Sequence, residues 1–540
     1  MSKGRQGKIA VEPLEQRNHF AIDPAVLPLT YGGPGFDSAQ RVISNATGTV
    51  VAGLFSGTVD FNPGAGVSRL TARGDSDIYV TKFDASGNFV WARQIGGGYT
   101  DDDFKDYEDR KMAINPIRLS GFIGRVGDQQ PGGAGEYVQD LAVDSTGLIY
   151  IAGSFRETIT AGNISLTADQ TFNDDYNDAL VVQIDASGTV QWARNFGGPF
   201  DDVAMTLSLD GQDNPYVGGY YTRSADFDPS SRVYLLKTVG RDAGFVMRLT
   251  KLGALGWVYH FDSEEIDPNV RNAVNDIAVT PSGNVYFVGT FGDEADFDPS
   301  RKSYVLDAQG QSDAFLGLLN RKGQLNWAMR TGGDDYDGNV AVAISNDGGI
   351  YTGGYFEDKV DVDPRPNVTR EFTATDKNGG STPDYPDLLV SRFAVDGTPA
   401  WQAQLGGEYL ETISDLVIGD DGSVYTVGSF MGAADFAPGS SQVTLTSPNF
   451  ANGDSVKDGN TTSGREETYD WYVSRISPRG KYIDANRYGG QDDDFASGFA
   501  INGSDIYLSG RAVSTRPPER GDRNEQSLIL LLDDLLNSQT

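Results

Sequence analysis

Seven times the chain carries an apolar, often Trp-bearing segment into a Gly-Gly pair or its equivalent. The copies are Tyr31-Gly32-Gly33, Ile95-Gly96-Gly97, Phe196-Gly197-Gly198, Phe261-Asp262-Ser263, Thr331-Gly332-Gly333, Leu405-Gly406-Gly407 and Tyr488-Gly489-Gly490. Self-similarity at a long, loosely fixed period marks architectures in which one supersecondary unit buries its faces only against its neighbours. Length alone would suggest several domains for 540 residues, but units that share one continuous core make a single body.

Between Gly-Gly pairs the same grammar recurs, with four strand-like runs labelled A to D. After Gly198 come Ala204–Leu209 (A), Tyr216–Tyr221 (B), Ala243–Leu249 (C) and a run around Trp257 (D). Run D carries Trp91, Trp192, Trp257, Trp327 and Trp401, with Tyr482 at the sixth place. Short runs rich in Val, Ile, Tyr and Phe, bounded by Gly, Asn and Asp, read as strands. Tight connections such as Asp84-Ala85-Ser86-Gly87 and Asp185-Ala186-Ser187-Gly188 are hairpin chemistry, so each unit is a four-stranded antiparallel meander. Apolar residues on both faces of B and C require sheets covered on both sides, as in blades stacked about an axis. Large aromatics at equivalent positions read as packing between blades.

The last unit reaches Thr540 without a D strand, whereas the first segment, Leu27 to Gly33, is a D strand alone. Pairing of Leu29–Tyr31 with Leu528–Leu532 would close the array without an unpaired edge. The expected fold is therefore all-β, a seven-bladed β-propeller over residues 28–540, preceded by a poorly ordered tail, 1–27, with a possible targeting role.

Several residue strings resemble a known family. Asp178-Ala179-Leu180-Val181-Val182-Gln183-Ile184-Asp185-Ala186-Ser187-Gly188 with Trp192 and Gly197-Gly198, and Asn284-Val285-Tyr286 with Gly289, are similar to the bacterial β-propeller repeats called SBBP repeats. That resemblance implies a seven-bladed propeller in a secreted or surface protein without an assigned reaction. Glu12-Pro13-Leu14-Glu15-Gln16-Arg17 resembles the LEPR-type N-terminal segment of exported bacterial proteins, with His19-Phe20 in place of the usual apolar pair. It implies an extracellular or cell-surface location. No conventional signal peptide is present in the sequence, and no run of 18 apolar residues offers a transmembrane segment.

Charge narrows function further. The net charge of −33 disfavours nucleic acid and anionic lipid and favours cations or basic partners. With no Cys and only His19 and His260, thiolate chemistry and most zinc sites are excluded. Antiparallel alternation puts B–C loops and D–A crossovers on one face, and the long insertions, 98–135, 156–177, 371–387, 447–470 and 512–526, all fall there. The same face collects acids, among them Asp60, Asp435, Asp201-Asp202 and Asp492-Asp493-Asp494. Asp226, Asp228, Asp296, Asp298, Asp361 and Asp363 are the candidate calcium ligands, because calcium prefers clustered oxygens. The alternative for these Asp-x-Asp-Pro strings is turn chemistry, in which the carboxylate accepts backbone N–H groups and Pro fixes φ. The resulting expectation is a non-catalytic binding or scaffold protein that presents an acidic face to a protein or surface polysaccharide. A glycan-active hydrolase or lyase with carboxylates at the axial mouth is the alternative, and a surface-layer component cohering through calcium is a third.

Overall fold

The computed structural model describes residues 28–532 apart from 33–35, 101–134, 170, 172–175, 265–269, 299–301, 366–367, 376–384, 438, 440–441, 448–467, 490–493, 504 and 514–524. The expected tail and most of the insertions at 98–135, 371–387, 447–470 and 512–526 lie outside the described residues. Strands account for all the regular structure described, and seven sheets each contain an antiparallel meander in the order A-B-C-D.

Units 1 to 3 run Asp37–Asn45, Gly48–Phe55, Asp77–Phe83, Phe89–Gly97; Glu136–Val143, Ile149–Phe155, Asp178–Ile184, Val190–Phe196; and Asp202–Leu209, Pro215–Asp226, Leu235–Leu249, Leu255–Ser263. Units 4 and 5 run Ala273–Val279, Val285–Phe291, Asp313–Leu319, Leu325–Gly333; and Asp337–Ile344, Ile350–Phe356, Asp387–Phe393, Pro399–Gly407. Unit 6 is Asp415–Ile418, Val424–Met431, Tyr469–Ile476, Tyr482–Tyr488. Unit 7 has Asp494–Asn502, Asp505–Val513 and Glu525–Leu532, and its fourth strand is Pro28–Tyr31 from the other end of the chain. Leu29 is paired with Ile529 and Tyr31 with Ser527.

Every position of Ile149–Phe155 and Asp178–Ile184 is buried, so both faces of strands B and C are covered, which is why they read as unbroken apolar runs. The turns form as their residues dictate. Asp185 Oδ1 accepts the N–H groups of Ser187 (2.8 Å) and Thr189 (3.0 Å), and Gly188 takes the positive φ of 84° that closes the loop. Successive A strands pack against one another from unit 1 through unit 7, and the A strand of unit 7 packs against that of unit 1.

Tryptophans in D join four of the units to the next. The Trp91 indole N–H donates to the Ala186 carbonyl (3.0 Å), Trp192 to Lys251 (2.9 Å), Trp257 to Arg321 (3.2 Å) and Trp401 to Pro478 (3.0 Å), each acceptor lying in the C–D turn of the following unit. The expected packing role for these aromatics is therefore present, with a directional bond added.

Two features differ from the sequence reading. In units 1, 4 and 5 the Gly-Gly pair is not a turn; it continues strand D. And the B–C loops are not free excursions, because each of several contains a short hairpin that pairs with strand D of the preceding unit. Gly96 and Gly97 pair with Thr160 and Ile159, Gly332 and Gly333 with Asp361 and Val360, and Gly406 and Gly407 with Asp435 and Ala434. Much of the 156–177 insertion is such a hairpin, Thr158–Ala161 with Ile164–Thr167. The glycines are required by closeness, since a Cβ on Gly198 or Gly333 would run into the carbonyl of Ser224 or Lys359 on the arriving hairpin. Gly333→Ala should therefore lower stability by about 1–3 kcal/mol in urea denaturation; a midpoint equal to wild type would show that the hairpin does not press on this strand.

Candidate functional site

The six sequence-predicted metal ligands lie in these hairpins, two to a hairpin, in units 3, 4 and 5. Within each, the first Asp ties the turn. Asp226 Oδ1 accepts the N–H groups of Asp228 (3.1 Å) and Tyr234 (2.7 Å); Asp296 Oδ1 those of Asp298 (2.9 Å) and Tyr304 (2.8 Å); Asp361 Oδ1 those of Asp363 (3.1 Å) and Arg370 (2.9 Å). Asp60 and Asp435 repeat the arrangement with Asn62 and Ala437 in place of the second Asp, so the hairpin does not need that carboxylate. The second Asp serves local ends: Asp228 accepts the Ser230 N–H (3.0 Å), and Asp363 pairs with the Arg365 guanidinium (2.5 Å). The Ser230 hydroxyl and N–H hold Asp228 below the usual carboxylate range, and Arg365 does the same for Asp363. Between the two positions Phe227, Phe297 and Val362 are fully buried. The structure does not bring carboxylates of different hairpins together, and among the described residues no group of three or more Asp, Glu, His or Cys is arranged to hold a metal ion.

The axial carboxylates have a different task. Six A strands carry a bulge, as between Val138 and Asp140 or Val274 and Asp276, and the residue after the bulge is re-aimed toward the next unit. Asp140 Oδ2 accepts the Leu207 N–H (2.7 Å) and Asp276 Oδ2 the Val342 N–H (2.8 Å). Asp415, at the corresponding place in unit 6, accepts the Phe499 N–H (3.3 Å) through Oδ2. Arg41 occupies the same place in unit 1, where its Nη1 donates to the Ser497 carbonyl of unit 7 (2.6 Å) and its Nε lies 3.8 Å from Asp140 of unit 2. These acids clasp neighbouring backbones. They do not converge as an acid–base pair.

A third set of acids was missed as a set by sequence reasoning. Three residues before each bulge stands Asp37, Glu136, Asp202, Asn272, Asp337 or Asp494, and four before Asp415 in the unbulged unit 6 stands Glu411, all buried. Their signal is legible once known: Gly-Gly-x-x-x-Asp/Glu recurs at Gly33–Asp37, Gly198–Asp202, Gly333–Asp337, Gly407–Glu411 and Gly490–Asp494. Placing Asp202 and Asp494 on a solvated rim is thus corrected, since they are 1% and 6% exposed. The second glycine donates its N–H to this acid, Gly97 to Glu136 (2.7 Å), Gly198 to Asp202 (2.6 Å) and Gly333 to Asp337 (2.6 Å).

Five of these acids each face another, the buried Asp at the start of strand C of the preceding unit. A Cβ on Gly197 would sit 2.5 Å from Asp178 Oδ1 and 2.9 Å from Asp202 Oδ2, so both carboxyl groups occupy the space that the missing side chain leaves. The pairs are Asp77 with Glu136, Asp178 with Asp202, Asp313 with Asp337, Asp387 with Glu411 and Asp470 with Asp494. Burial pushes Glu136 up to about 8, with Asp77 adding to it, and pushes Asp178 up to about 7. Burial and then the facing acid raise Asp202, Asp337 and Glu411 well above the usual carboxylate range. His260 is half-buried, its Nδ1 3.0 Å from the Tyr221 hydroxyl, and burial lowers its pKa, in keeping with a structural place on strand D.

Together the meanders, the hairpins pairing from one unit to the next and the clasped A strands define a β-propeller repeat protein. No family model matches the chain. It is 21% identical over 270 residues, 43% of its length, to an uncharacterized WD repeat-containing protein of Acanthamoeba polyphaga mimivirus, of which it covers 18%. It is 27% identical over 157 residues, 28% of its length, to the regulatory protein FlaEY of Caulobacter vibrioides, of which it covers 15%. The chain thus spans less than a fifth of the length of each of these curated relatives. Among solved structures, Sqt1 from Chaetomium thermophilum aligns with TM-score 0.30 and 13% identity over 74% of this chain and 97% of that one. Virginiamycin B lyase from Staphylococcus aureus aligns with TM-score 0.28 and 9% identity over the same shares. Among the described residues no helix is long and apolar enough to cross a membrane.

The raised acids fix a pH dependence. A carboxyl group whose folded pKa exceeds its unfolded value stabilises the fold below the unfolded value, near 4, and loses that contribution as pH rises through the folded value. With chelator present, the melting temperature should fall as pH is raised from about 4 to about 8, across the values of Asp178 and Glu136. Asp202→Asn should flatten that decline, and a melting temperature that rises over this window would refute the assignment.

Proposed function

We propose that this chain is a closed, seven-bladed propeller that acts as an exported, non-catalytic binding or scaffold protein. Its hairpin-bearing face would receive a protein partner with a basic surface. The observation that carries the reading is that the described carboxylates at the axis and in the hairpins are spent on backbone N–H groups, which leaves them structural work in place of acid–base work. The net charge of −33 supports a basic partner. A surface polysaccharide is the second partner class, and the SBBP and LEPR-like resemblances support an extracellular or cell-surface location. Calcium at Asp226, Asp228, Asp296, Asp298, Asp361 and Asp363 remains part of the surface-layer reading, against which stand the turn hydrogen bonds that occupy the first Asp of each hairpin.

Closure is supported by the pairing of Pro28–Tyr31 with the last strand and by Arg41 reaching Ser497. The chain has no Cys, so Leu29→Cys with Ile529→Cys gives a clean test. The double variant should form a disulfide on oxidation and melt at higher temperature than its reduced form. Free thiols that persist under oxidant would contradict a closed array.

Partner chemistry is tested by interferometry with polylysine, a neutral glucan and an anionic polysaccharide. The expected result is binding of the basic probe that weakens steeply between low and high salt. Turnover of either glycan, lost in Asp140→Asn or Asp276→Asn at unchanged fold, would replace this reading with the glycan-active enzyme.

A further inference from the structure

Four of the described junctions between units fall into two chemical kinds. At the 4–5 and 6–7 junctions strand D supplies a cation of its own to the strand C acid: Arg330 Nη1 lies 2.5 Å from Asp313 Oδ2, and Arg487 Nη1 lies 2.7 Å from Asp470 Oδ2. At the 2–3 and 5–6 junctions the same place in strand D holds a neutral amide. Asn195 Nδ2 donates to Asp178 Oδ2 (2.8 Å), and Gln404 Nε2 donates to Asp387 Oδ2 (2.5 Å). The facing acids, Asp202 and Glu411, are nevertheless present at both, so two buried carboxyl groups meet where no guanidinium has been provided on that strand.

Glu411 makes the second observation. It is 0% exposed, and neither of its carboxylate oxygens has a hydrogen-bond partner. Its counterparts Glu136, Asp202 and Asp337 each take an N–H from the second glycine at 2.6–2.7 Å, whereas Glu411 takes no well-formed hydrogen bond on either oxygen. A fully buried carboxyl group without a donor, beside a second carboxyl group, is costly unless something positive or protic joins them.

We propose that the Asp387–Glu411 junction binds a divalent cation, calcium by its preference for carboxylate oxygen. The bound ion does there what Arg330 and Arg487 do at the other junctions. Two carboxylates offer up to four oxygens, and calcium takes about six to eight, so backbone carbonyls or water complete the shell. The inference is independent of the partner and of the hairpin aspartates, because neither takes part in the junction.

The test is calorimetric titration of CaCl2 into the chelator-stripped full chain at pH 8, with melting temperatures in calcium and in chelator. Wild type should bind calcium and melt higher with it. Glu411→Gln should lose one equivalent and part of the thermal shift, Glu411→Asp should keep the site at weakened affinity, and Asp228→Asn/Asp298→Asn/Asp363→Asn should leave both unchanged. No heat and no thermal shift in wild type would overturn the proposal in favour of a proton shared within the pair. Full stoichiometry retained by Glu411→Gln, or lost in the hairpin triple variant, would overturn it in favour of calcium elsewhere. Neither result touches the binding of polylysine, which stands or falls separately.

Discussion

In units 1 to 5 strand D has to serve two sheets, and that double duty governs the design. Its first half pairs with strand C of its own meander, and its Gly-Gly end pairs with a hairpin from the next, as when Gly332 and Gly333 meet Asp361 and Val360. An edge strand left open would be a template for aggregation. Here the edge is covered by the neighbour, so the unit that protects the edge is also the unit that must be correctly placed. Because the hairpin presses on the strand, side chains are excluded at the crossing, and the repeat is recognisable in sequence by that exclusion.

The meanders were legible because strands B and C are almost wholly buried and many are bounded by a turn that opens on Asp, Asn or Thr; Val285–Phe291 and Ile350–Phe356 have the observed limits. The Trp ladder was legible for the same reason, a large side chain recurring where a repeated core needs one. The hairpins were not. Their strands, such as Glu294–Asp296 and Val305–Asp307, are three residues long and find their sheet partner outside their own unit, so local periodicity carries no trace of them. The acid pairs were hidden by a different default. A carboxylate in a loop beside Gly is ordinarily solvated, and nothing local distinguishes Asp201 from the buried Asp202; only the constant spacing from Gly-Gly does.

That a chain of net charge −33 buries further acids between its units is less paradoxical than it looks. Backbone N–H groups converge at each crossing, where a strand ends and a crossover begins, and a short acidic side chain satisfies two of them at once. Asp202 accepts from Gly198 and from Thr222 (3.2 Å). The hydrogen bonds recover part of the desolvation cost, and the guanidinium of Arg330 or Arg487 recovers more where it is present.

Unit 3 departs from the pattern in a compensated way. Where units 1, 2, 4, 5 and 6 place Asp at the start of strand C with Gly opposite, this one has Ala243 and Asp262, and the acid that would follow is Asn272, which bonds Ser263 (2.8 Å). The carboxyl group has moved across the sheet, and the glycine's vacancy has moved with it. Units are therefore not interchangeable parts. A chain made by duplicating unit 3 would set Asp262 against a following Asp202 in space meant for one acid, so growth or shuffling of the array by gene duplication must preserve who stands beside whom.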